Sequence, residues 1–218
     1  MSTPVPTTHR RHDVIEVVAT VLLSLAAVAT AWSSYQAARW NGEQAKTASR
    51  VNAVRVEAAR AQGLAEAQMQ VDVATFIQWV DAKVSDEVEL QEFYQERFRD
   101  EFKPAFQAWL DTDPLTTTGA PPTPFAMDEY QLAAEDDAKA LDAEDRRLAA
   151  QVRRNIQRST NYVLGVVMFS VALFFAGIST KVQGRGAKTV LVAMGSLIFL
   201  ATAVWIATSP ISLAIHGS

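Results

Sequence analysis

Apolar and polar positions along this chain fall into two regimes. In Val14–Trp32, Tyr162–Thr180 and Val190–Ser209, charges are all but absent, and each block has the roughly 20 residues a helix needs to cross about 30 Å of hydrocarbon. Glu16 intrudes only at the edge of the first block, within reach of a headgroup layer. Lipid offers no partner for a free N–H or C=O, so such blocks must be helical. Trp32, Trp40, Tyr162 and Trp205 stand near block ends, as interfacial aromatics do. The pattern predicts transmembrane helices over 13–32, 161–180 and 188–209, behind a short disordered tail over 1–12.

The second regime, 33–160, reads as an extramembrane helical domain. Ser33 to about Leu110 contains only Gly42 and Gly63 as weak points and no proline before Pro104. "DTDPLTTTGAPPTP", Asp111–Pro124, carries four prolines, a glycine and three consecutive threonines, which makes the 111–127 region a loop. A second helical stretch runs from about Asp128 to Thr160 and straight into the second span. Phe76, Val80, Val84, Val88, Phe98, Phe102, Phe106 and Leu110 recur mostly at three- to four-residue steps, the mark of one buried helix face. Tyr130, Ala134, Ala138, Leu141, Leu148, Val152 and Ile156 form a comparable stripe on the return. At 1.5 Å per residue the return is about 50 Å long and the outgoing stretch about 115 Å. A single rod therefore cannot pair with the return along its length. A break is expected near Asp81–Glu87, with the segment to Leu110 folding back.

A finer pattern crosses the boundary between the regimes. In alternating steps of four and three, Thr20, Ser24, Ala27, Ala31, Ser34, Ala38, Asn41, Ala45, Ala48 and Asn52 are all small or amide-bearing. This is a heptad seam. Small residues let helix backbones approach closely in lipid, and Asn can fix register in water. The seam predicts one continuous helix from about Asp13 to at least Asn52 with a partner along this face. That partner is either the chain's own returning helix and spans or a second copy. In the second case Thr20, Ser24 and Ser34 are placed to line a narrow polar path.

Charge and composition narrow the function class. Residues 33–160 carry a net charge of −7 and the remainder +3. An acidic extramembrane region argues against a nucleic-acid partner. The chain has no cysteine, hence no disulfide framework and no thiol chemistry. Arg10 and Arg11 before an apolar run, with "AVATA" inside it, resemble a signal peptide. The run is longer than a signal core, so an uncleaved signal anchor is expected.

His9 and His12 in "HRRH" have no carboxylate or cysteine cluster to complete a metal site. "GRGAKT", Gly184–Thr189, lacks the phosphate-loop spacing. The acidic runs Ser85–Glu92, Glu135–Asp137 and Asp142–Arg147 have no calcium-loop glycine and are interspersed with basic residues, so they read as solvated faces. No ionisable residue lies deep in a span to relay protons or ions. No metal, cofactor or catalytic set is therefore expected. Lys181, Arg185 and Lys188 in the short loop 181–188, with Arg10 and Arg11, point to a cytoplasmic loop and N-terminus with the domain outside. Arg39, Lys46, Arg153, Arg154 and Arg158 on the domain side point the other way. The rule holds best for short loops, so the first orientation is the expectation.

"ATAWSSYQAARWNGEQA" (Ala29–Ala45), "LFFAGIST" (Leu173–Thr180) and the terminal Ser209–Pro210 carry a resemblance to a loose group of uncharacterised bacterial three-span membrane proteins. In these an N-terminal span leads into long helices and the chain ends in a two-span hairpin. The resemblance implies the bacterial inner membrane and brings no activity with it. The expectation is an all-α integral membrane protein, not an enzyme, with the lipid bilayer and further copies of itself as partners. It would act as a homo-oligomeric scaffold or partner-binding module. The alternative is a channel or transport component with the first helix around its axis.

Overall fold

The computed structural model describes residues 14–114 and 116–212; the 1–12 tail, its two histidines and His216 lie outside them. Among the described residues every regular element is helical. Five α-helices follow in order: α1 (Val14–Val84), α2 (Val88–Arg97), α3 (Lys103–Leu110), α4 (Ala133–Ser179) and α5 (Arg185–Ala207), with a 3₁₀ turn at Pro124–Ala126. Three of them, α1, α4 and α5, contain stretches long and apolar enough to cross a membrane.

The 71 residues of α1 form one unbroken helix. It is rich in alanine and free of proline, so little opposes helix propagation. The chain divides into two compact units, which cut α1 after Ala48 and α4 before Ala150. Both cuts lie beyond the span ends expected at 32 and 161, because the helices stay packed after leaving the apolar blocks. Asn41 and Ser159 illustrate this with a side-chain hydrogen bond of 2.8 Å.

In the unit comprising 49–149, α1 stops where a break is expected. The Glu87 N–H bonds the Ala82 carbonyl at 3.0 Å, and the Asp86 N–H bonds that of Lys83 at 3.4 Å. Asp86 takes φ 57°. This is a Schellman ending with aspartate in the left-handed position, a place its short polar side chain tolerates. α2 and α3 fold back on α1 and close an aromatic core of Phe76, Trp79, Phe98, Phe102, Phe106 and Trp109. Pro104 sits in the first turn of α3, where its missing N–H costs nothing.

The predicted outgoing stripe needs correction at two positions. Val84 is 82% exposed and Val88 58% exposed. The Schellman turn lies between them, so the helical spacing that linked them to the core does not continue across it. Trp79 and Trp109 are buried in the core instead. On the return, Ile156 is exposed, whereas Ala134, Ala138 and Leu148 are buried as expected. α4 begins at Ala133, later than the expected Asp128, and the Glu101 carboxylate accepts its first N–H at 3.3 Å.

The other unit packs the first part of α1 with α5 and the last part of α4. Gly195 sits where a backbone atom comes close: a Cβ there would stand 3.2 Å from the Ala172 carbonyl oxygen and 3.3 Å from Leu22. Lys188 donates to Glu16 at 2.8 Å at one end. At the other, Trp40 Nε1 and the Tyr162 hydroxyl both donate to the Pro210 carbonyl at 3.3 Å.

Candidate functional site

A helix turns 100° per residue, so a one-residue shift of register moves a seam to another face. Ala19, Leu23, Ala26, Thr30, Ser33, Ala37, Trp40, Gln44, Thr47 and Val51 are all buried or half-buried. The same alternation of three and four continues through Val54, Ala58, Ala61, Ala65, Gln68, Asp72, Thr75, Trp79 and Ala82, and none of these is exposed. The internal packing face of α1 is therefore a heptad seam running almost its full length. It lies one residue before the seam of small residues legible in the sequence.

The sequence-derived seam occupies the neighbouring face. Thr20, Ser24, Ala27, Ala31, Ser34, Ala38, Asn41, Ala45 and Asn52 are exposed, and Ala48 is half-buried. Of these, Asn41 is tied to the chain's own α4, its Oδ1 accepting from the Ser159 hydroxyl at 2.8 Å. The Thr20 hydroxyl donates to the Glu16 carbonyl at 2.8 Å, and Ser24 donates to that of Thr20 at 3.0 Å. Composition alone could not separate the two faces, because Ala19, Ala26, Ser33 and Ala37 on the inner one are equally small. The signals that do separate them are Leu23, Trp40 and Val51, whose bulk belongs inside.

Sequence reasoning also missed a buried ionic cluster. Asp72 is fully buried on the inner seam. Its Oδ2 accepts from Arg99 Nη1 at 2.8 Å and from the Tyr130 hydroxyl at 3.1 Å, while its Oδ1 has no hydrogen-bond partner. Arg99 also pairs with Glu101. Burial is the strongest influence on the Asp72 carboxyl and raises its pKa above the usual 3.8, against the opposing pull of Arg99 and Tyr130. Burial, with Asp72 next to it, likewise raises the Tyr130 phenol. The cluster joins α1, the α2–α3 turn and the approach to α4, the work of a structural clasp. The predicted acidic runs stay largely solvated, and among the described residues no group of ligating side chains is arranged to hold a metal.

The clasp has a pH signature. A carboxyl whose pKa is higher folded than unfolded contributes stability that is complete below the unfolded value and is lost as pH rises through the folded one. Asp72→Asn removes that dependence. Between about pH 4 and neutrality, wild-type thermal stability is expected to fall relative to Asp72→Asn, as read by the near-UV signal of the aromatic core. Parallel pH profiles for the two proteins would refute the assignment.

Comparison of the chain with protein-family models, curated proteins and solved structures finds no match.

Proposed function

We propose that the chain is a non-enzymatic scaffold or partner-binding module of the bacterial inner membrane. Copies assemble through the small-residue face of α1, and the helical domain is available to a protein partner. The supporting observation is the exposure of that face: the chain's own helices mainly use the adjacent seam, so the small side chains from Thr20 to Asn52, apart from Asn41 and half-buried Ala48, remain open to a second helix. In lipid such a face drives association by close backbone approach, and in water Ala and Asn continue it as a coiled coil. The basic residues of 181–188 favour a cytoplasmic loop and N-terminus, with the helical domain on the opposite side. No observation favours the channel reading, since the Thr20 and Ser24 hydroxyls are bonded to carbonyls of their own helix.

Stoichiometry tests the proposal. Wild-type protein in lipid nanodiscs is expected to give an oligomer by native mass spectrometry. Ala31→Leu with Ala38→Leu, which bulks the open face and spares the inner seam, should reduce it to single copies with an unchanged circular dichroism spectrum. A monomeric wild type, or a double variant that assembles like wild type, rejects the scaffold reading.

A further inference from the structure

Along α1, three polar side chains spaced three residues apart end in buried atoms without a hydrogen-bond partner. They are the Ser33 hydroxyl, the Gln36 amide nitrogen and the Nε and Nη2 of Arg39. Ser33 and Gln36 are wholly buried. Residues three apart stand one above another on a helix, so these donors form a row. A buried donor left unmade is costly, more so when charged, and a guanidinium cannot shed its proton. The row is thus incomplete without something rich in acceptors.

Acceptors on neighbouring residues bond to other donors. Gln36 Oε1 takes the Ser212 N–H at 3.0 Å. The Pro210 carbonyl takes Trp40 and Tyr162. Glu43, one turn beyond Arg39, is paired with Lys46 at 3.4 Å. A second positive charge stands close by, with the Arg158 guanidinium 4.5 Å from the Trp40 ring centre.

The other end of the row opens into a hollow of about 230 Å³. Ser33 and Tyr162 line it together with Trp32, Phe169, Ile206 and Ile211, a mainly apolar wall. Along α1 the order is therefore apolar hollow, hydroxyl, amide, guanidinium. This matches the order from acyl chain through ester to phosphate in a lipid, at the level where the sequence of α1 turns from apolar to polar.

We infer that this face binds an anionic phospholipid. Part of one acyl chain enters the hollow, and rotation of the enclosed Ser33, Gln36 and Arg39 side chains brings the hydroxyl to the ester carbonyl and the amide and guanidinium to the phosphate. The inference rests on the membrane-spanning reading of α1 and is independent of how copies assemble.

The test uses the full chain, purified in detergent, stripped of lipid and titrated with phospholipids carrying brominated acyl chains. Bromine in the hollow quenches Trp32. Phosphatidylglycerol is expected to bind about tenfold more tightly than phosphatidylcholine with the same chains. Arg39→Met should remove that preference. Ser33→Ala, which deletes an unpartnered hydroxyl and so keeps the fold, should weaken phosphatidylglycerol about fivefold. Equal affinities for the two lipids overturn the inference, as does an unchanged affinity in Ser33→Ala. Protection of the protein by inorganic phosphate alone, without quenching by either lipid, also overturns it and makes the row a free-anion site. Retention of the chain in alkaline-washed membranes reports the spanning reading separately, so its failure is distinguishable from failure of the lipid site.

Discussion

Phe102→Ala is expected to destabilise the 49–149 unit by about 3–5 kcal/mol, the range for truncating a buried aromatic. Phe102 is completely buried. It stacks on Phe125 with ring centres 5.3 Å apart and meets Phe98 edge-on at 5.0 Å. Phe76, Phe106 and Tyr130 lie between 6.0 and 6.4 Å from it. These rings come from α1, α2–α3 and the loop before α4, so the cavity would open where all three meet and no single element could close it. Urea unfolding followed by the fluorescence of Trp79 and Trp109, both in this core, measures the loss. Phe93→Ala is the control, since Phe93 is 45% exposed. Equal losses in the two variants would show that Phe102 is not the centre of the core.

The second large effect belongs to the other unit. Gly195→Leu is expected to cost about 1–3 kcal/mol through overpacking. The nearest obstacle to a side chain is the Ala172 backbone carbonyl, with Leu22 and the Cβ of Phe175 almost as close. A backbone atom cannot rotate away as a side-chain tip can, so α4 and α5 would have to separate. Gly186, also in α5, has nothing within 4 Å of an added Cβ. Gly186→Ala should therefore be neutral or stabilising, by up to about 1 kcal/mol of helix propensity. Thermal unfolding in detergent compares the two. A fully tolerated Gly195→Leu would contradict the close crossing.

Particular residues show what was legible in the sequence. The three long apolar helices could be read because runs of about 20 nearly uncharged residues favour one continuous helix. The 111–127 loop was legible through its prolines, and the break after Val84 through the mismatch between outgoing and returning lengths. The register of α1 was not legible. Its inner and outer faces both consist largely of Ala, Ser and Thr, and only three-dimensional packing chooses the row containing Leu23, Trp40 and Val51. Asp72 was hidden for a related reason: a buried carboxylate looks like a solvated one until Arg99 and Tyr130 are brought to it from distant sequence. The same holds for Arg39, Ser33 and Gln36, whose missing partners appear only once the helices are packed.

The measurement that bears most directly on assembly is disulfide crosslinking in native membranes, for which the cysteine-free chain is a ready background. Single cysteines replace Ala31, Ala38 and Ala45 on the open face. Leu25 serves as the control, being 51% exposed but off that face. Mild oxidation is predicted to give covalent dimers at the three alanine positions and none at Leu25. If the alanine positions stay monomeric at full expression, or Leu25 crosslinks as well as they do, copies of α1 do not meet along this seam.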